Sequence, residues 1–169
     1  MVWPNGDSGS MNLVEAPDSA LMVALLPGLA TCLVRQWRHA WGQTSWEVPA
    51  GTLEPGEDPL AGARRELVEE AGLEGGEWTS LGAVRPSAVV SATQHLYLVR
   101  NPEPTARRPE AYERDMIVRH LPLAWALDAA LKGEIFHSGS IVALIRAGRH
   151  LGLAPAPGAG SGSESHASS

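Results

Sequence analysis

The sequence predicts an α/β fold, and three observations carry that prediction. Short apolar runs of strand length recur between turn residues. Two segments near the C-terminus repeat their apolar residues at helical spacing, and the most acidic stretch follows a Gly/Pro-rich loop that leads out of a strand. Taken in order, residues 21–26 and 29–35 are apolar strands, with Pro27-Gly28 turning the chain between them. Residues 38–43 are polar and contain Gly42, which predicts a loop. Residues 46–48 form the next strand, ending at Pro49-Ala50-Gly51. Beyond the acidic stretch, 78–84 and 94–99 are strand-like and joined by 85–93, and 117–121 adds a further strand. Residues 123–131 and 140–147 are helical, parted by the turn at Lys132-Gly133 and a short extended piece over 134–136.

The acidic stretch predicts a helix with two different faces. Asp58 is a good N-cap, and Pro59 suits the first helical position, where a missing N–H costs nothing. Gly72 fits the residue just past the helix end, where a left-handed conformation is common. Between them Leu60, Ala63, Leu67 and Ala71 make an apolar stripe at intervals of three or four. Opposite them, Glu66, Glu69 and Glu70 stand at i, i+3 and i+4, so their carboxylates converge on one side. Carboxylates this close repel one another. A divalent cation reverses that sign, and Mg2+ is held in this way by a few carboxylates together with substrate phosphates.

The stretch from Gly51 to Leu73 has a further regularity. Gly51, Glu57, Arg65, Glu66, Leu67, Glu69, Glu70, Gly72 and Leu73 fill every fixed position of the signature box of the Nudix hydrolases, which the segment resembles. A solvated acidic helix explains neither the glycines nor Glu57. The resemblance implies the Nudix fold, a mixed β-sheet sandwiched between α-helices. It also implies hydrolysis of a pyrophosphate bond in a nucleoside diphosphate linked to another group, with Mg2+ as cofactor and Mn2+ as an alternative. Carried over residue by residue, it makes Glu66, Glu69, Glu70 and the backbone carbonyl of Ala50 metal ligands, and Arg65 with Glu57 a structural ion pair. The catalytic base is either a box acid, Glu69, or an acid of a late loop holding Glu110, Glu113 and Asp115, of which Glu113 is the candidate.

Residues outside the box point to a substrate class. Gln36-Trp37-Arg38, followed by Trp46-Glu47-Val48-Pro49-Ala50-Gly51, is similar to the ADP-ribose pyrophosphatase branch, as are Pro86 and the run from Lys132 to Leu144. The substrate-binding candidates are Arg38, Glu47 and Arg85. Arg38 has the planar fork that clamps a phosphate, while Glu47 either binds substrate or braces a neighbouring loop. Trp37, Trp41, Trp46 and His95 offer flat faces to an adenine, although packing is the simpler reading of each tryptophan and a structural role the simpler one of His95. The implied reaction is ADP-ribose to AMP and ribose 5-phosphate. The alternatives are another sugar such as GDP-mannose, or a non-catalytic Nudix-fold module that binds ADP-ribose. Retention of all three box glutamates favours catalysis.

Composition bounds the rest. The 169 residues carry a net charge of −6, against generic nucleic-acid binding, with 44% hydrophobic and 19% charged residues suiting a globular domain. One cysteine, Cys32, excludes an internal disulfide, fits a reducing cytoplasm and reads as a buried thiol. The histidines lack zinc-site spacing. No apolar run has the roughly 20 residues of a membrane span, and no secretory signal opens the chain. Residues 1–10 and the Gly/Ser/Pro/Ala stretch 154–169 are expected to be flexible around a domain at 11–153. The branch resemblance further implies a homodimer, with the strands near Leu21 and Leu29 contributing.

Overall fold

Alternate residues of the apolar run 20–24 face opposite ways, and each set meets its own core. Leu21 and Val23 join one buried cluster, while Ala20, Met22 and Ala24 join another. A strand covered on both faces reads as a continuous apolar run, which is why this segment shows no polar alternation. The computed structural model describes residues 1–109 and 115–153. In chain order these form β1 (Ser19–Leu26), β2 (Ala30–Arg38), β3 (Gln43–Glu47), β4 (Ala50–Thr52), α1 (Pro59–Glu66), β5 (Leu73–Glu74) and β6 (Glu77–Val84). There follow β7 (Gln94–Arg100), β8 (Glu103–Pro104), β9 (Ile117–Pro122), α2 (Leu123–Lys132) and α3 (Ser138–His150).

The main sheet runs β3-β2-β1-β7-β6, with β4 also on β1 and β9 on β2, and β5 and β8 pair separately. The sheet is mixed because β1 lies parallel to β7, in register from Ser19–Gln94 to Leu25–Arg100, whereas its other pairings are antiparallel. Helices α2 and α3 cover one face through Leu123, Ala126, Leu127, Ala143, Leu144 and Ala147, and α1 covers the other. Fully burying a leucine such as Leu33, Leu96, Leu98 or Leu144 contributes about 1.5–3 kcal/mol. The predicted α/β sandwich is therefore present.

The boundaries differ in places. β2 continues to Arg38, so the loop expected to begin there is shorter, because Trp37 pairs with Thr44 and Arg38 with Gln43 on β3. Pro27–Leu29 forms a tight helical turn with Gly28 at φ 72 and Leu29 at φ 57. Cys32 is fully buried, and its thiol is pushed up to about 12, first by burial and then by the charge of Glu70. It is a packing residue. No helix among the described residues is long and apolar enough to cross a membrane. Glu110, Glu113 and residues 154–169 lie outside the described residues.

Candidate active site

The acidic helix starts as its sequence requires. The Asp58 carboxylate accepts from the N–H groups of Leu60 (3.1 Å) and Ala61 (3.0 Å), with Pro59 directly after it. Ala63, Leu67 and Ala71 are buried against β1 and β7, with Leu60 at the margin. The helix then departs from a regular period. α1 passes into a wider π-helical turn over Leu67–Ala71, closed by Gly72 at φ 64. Such turns concentrate at functional sites. Here it carries Glu69 and Glu70, with Glu70 2% and Glu66 6% exposed.

Both buried acids face β4. Glu70 Oε2 accepts the N–H of Ala50 at 2.8 Å. A Cβ on Gly51 would lie 1.8 Å from the Glu66 carboxyl carbon, so this glycine makes room for the carboxylate. Arg65 then knits the box together. Its Nε and Nη2 donate to the two Glu57 oxygens (3.0 and 2.9 Å), Nη1 to Glu66 (2.7 Å) and Glu69 (2.9 Å), and Nη2 also to the Thr52 carbonyl (3.0 Å). All five donors of the guanidinium are used.

These contacts have a pH signature. The Arg65 hydrogen bonds, aided by the Glu54 N–H, pull the Glu57 carboxyl from 4.5 down to about 2. A depressed carboxylate contributes stability that is present above its unfolded value and lost as pH falls through the folded one. Thermal unfolding of Glu57→Gln should therefore vary less between pH 5 and 2 than that of the wild type. Parallel profiles would show that the pair does not stabilise the fold.

The donor set fits a hard divalent cation: three carboxylates, from Glu66, Glu69 and Glu70, and the carbonyl of Ala50 are all oxygens. Among the described residues no group of three or more His, Cys, Asp or Glu is already gathered into a metal cage. Glu66 and Glu69 accept from Arg65, and Glu70 accepts from the Ala50 N–H.

A cavity of about 520 Å³ opens beside β4, lined by Ala50, Gly51, Thr52, Trp37, Arg38, Trp41, Gln94 and His137 among others. It joins the backbone that the buried acids touch to an aromatic and cationic wall. Trp37 and Trp41 are exposed there, whereas Trp46 packs at the edge of the core. Arg38 grips Glu47 with a two-pronged fork, Nε to Oε1 at 2.8 Å and Nη2 to Oε2 at 2.6 Å. Glu47 is fully buried, so its place in this structure is that of a brace. Arg38 also borders a second cavity of about 630 Å³ with Arg35, Asp115 and Met116. Arg85 is exposed just past β6 and lines neither cavity. His95 faces Asp18 at 3.5 Å, a structural pairing.

Sequence reasoning missed His137, Ser140 and Gln94, which stand far along the chain from Glu47 and Val48. No local signal reveals them. Ser140 Oγ accepts the Val48 N–H at 3.1 Å across 92 positions, and His137 Nδ1 lies 3.1 Å from Glu47 Oε2.

Residues 17–138 match the NUDIX domain family. Over 146 residues the chain is 34% identical to an ADP-ribose pyrophosphatase of Mycobacterium tuberculosis (strain ATCC 25618 / H37Rv), covering 84% of this chain and 70% of the relative. It is 32% identical over 146 residues to a methanol dehydrogenase activator of Bacillus methanolicus, covering 83% of this chain and 77% of the relative. An ADP-ribose pyrophosphatase of Bacillus subtilis (strain 168) is 27% identical over 143 residues, with the same coverage of 83% and 77%. A crystal structure of an ADP compounds hydrolase superposes with a TM-score of 0.71 at 18% identity, covering 80% of this chain and 72% of that one, a likeness of fold. The box geometry and these matches agree: the chain belongs to the Nudix family, as a pyrophosphohydrolase.

Proposed function

We propose that the protein splits ADP-ribose into AMP and ribose 5-phosphate in a Mg2+-dependent reaction, with Mn2+ able to substitute. The observation that carries this reading is the cavity that connects β4, where Glu66 and Glu70 converge, to Arg38 and the exposed faces of Trp37 and Trp41. One side suits a pyrophosphate and the other a nucleoside. Two relatives named ADP-ribose pyrophosphatase support the substrate.

A divalent cation bound at the box supplies charge neutralisation for the phosphates and makes water a better nucleophile. Glu66, Glu69, Glu70 and the Ala50 carbonyl hold it. Arg65 keeps those acids aligned, and Arg38 binds a phosphate oxygen at the opposite wall. Trp37 and Trp41 receive the adenine face. Glu113 takes the proton of the attacking water, with Glu69 as the competing base. Loss of the base lowers kcat rather than raising KM.

The protein is proposed to act in the cytoplasm as a homodimer. The exposed apolar residues Met11, Leu13 and Val14, just before β1, support a contact through the N-terminal segment and the strands near Leu21 and Leu29. The test is a Mg2+-dependent assay over ADP-ribose, GDP-mannose and other nucleoside diphosphate compounds, on enzyme whose mass is read by light scattering. ADP-ribose should give the highest kcat/KM at dimer mass. A preference for GDP-mannose defeats the substrate assignment, and an active monomer defeats the dimer.

A further inference from the structure

We propose that His137 is a positioning residue for substrate binding: through Glu47 it fixes the guanidinium of Arg38 at the cavity wall. The proposal rests on the reading of Arg38 as a phosphate-binding residue.

Burying a carboxylate is costly unless its oxygens are satisfied, and Glu47 is fully buried. Arg38 reaches it from β2, occupying both oxygens through its fork. A fork held from one side still rocks with the terminal torsion of the glutamate, which is broad. His137 supplies a contact from another direction, its Nδ1 lying 3.1 Å from Glu47 Oε2. Nδ1 faces this oxygen while its hydrogen bond is made with the Ser140 hydroxyl, so the ring meets Glu47 through close electrostatic contact. The Arg38 fork and the His137 ring together limit how far the carboxylate can turn, and with it the plane of the Arg38 guanidinium.

The imidazole is itself anchored. His137 Nδ1 is 2.9 Å from Ser140 Oγ, and this fully buried hydroxyl accepts the Val48 N–H, the residue next to Glu47. A Cβ on Gly139 would lie 2.6 Å from Leu21 Cδ2 and 2.7 Å from Gln94 Oε1. The first turn of α3 therefore sits tight against two residues that line the cavity. Trp41 bridges the pair from the open side, its ring 6.0 Å from the Arg38 guanidinium carbon and 5.9 Å from the His137 ring. Burial is the leading cause that holds the His137 pKa below its ordinary value, and the neutral ring leaves the Glu47 charge to Arg38.

The test is a set of KM and kcat measurements on the full chain with ADP-ribose and Mg2+. His137→Leu removes the ring nitrogen that faces Glu47 and bonds Ser140 and should raise KM about tenfold, with kcat nearly unchanged. His137→Asn returns a polar amide close to the position of Nδ1 and should restore most of the loss. In an Arg38→Ala background, His137→Leu should add no further rise, because the two act in series. An unchanged KM in His137→Leu overturns the proposal, as does an equal rise in the Arg38→Ala background or a fall confined to kcat. If His137→Leu fails to fold, Ser140→Ala releases the imidazole and should raise KM in the same direction; an unchanged KM there overturns the proposal too. A wild-type KM in Arg38→Ala itself would overturn the phosphate-binding reading together with this inference. A raised KM in Arg38→Ala with none in His137→Leu removes the inference alone.

Discussion

Glu70→Gln should abolish most turnover while leaving the fold intact. Its carboxylate is 2% exposed and accepts the Ala50 N–H at 2.8 Å. Glutamine keeps a carbonyl oxygen for that bond and removes a buried charge, so the local structure has no reason to collapse. The charge is what a cation needs. Residues that merely orient metal ligands cost about 10–100-fold when removed, so a direct ligand should cost roughly 100-fold or more in kcat. The melting temperature should stay close to wild type. Full activity in Glu70→Gln would refute the ligand assignment, and a large drop in melting temperature would give Glu70 a structural role instead.

Gly51→Ala should separate folding from catalysis in the same way from the backbone side. The added methyl would lie 1.8 Å from the Glu66 carboxyl carbon and 2.1–2.2 Å from its oxygens. A contact that short cannot persist. The carboxylate is the end of a flexible side chain, so it swings away more cheaply than the strand moves. A displacement of about 1 Å in a reacting constellation costs roughly 100-fold in rate. Turnover should fall by that order with only a modest loss of thermal stability. Wild-type turnover in Gly51→Ala would place the Glu66 carboxylate outside the chemistry.

Both predictions come from a site that was partly legible in the sequence. The stripe of Leu60, Ala63, Leu67 and Ala71, the Asp58 cap and the Gly72 stop are local features, and the helix carries each of them. The apolar run of β1 likewise announced a strand, and the two cores that cover its faces are what the fold adds. The widened turn over Leu67–Ala71 was hidden, because acids at i, i+3 and i+4 suit a regular helix just as well. The extension of β2 to Arg38 depends on pairing with β3, which outweighs the polar composition of the segment. The least legible part is the brace behind Arg38. Glu47 meets His137, and Val48 meets Ser140 across 92 positions, through contacts that only the folded sheet creates. Glu47 alone therefore left two roles open.

The most direct test of the account is hydrolysis of ADP-ribose followed against free Mg2+, with the products separated. The account predicts no turnover in excess chelator, restoration that saturates as Mg2+ is returned, and AMP and ribose 5-phosphate in equal amounts. Undiminished turnover in chelator, or products that leave the pyrophosphate bond intact, would contradict it.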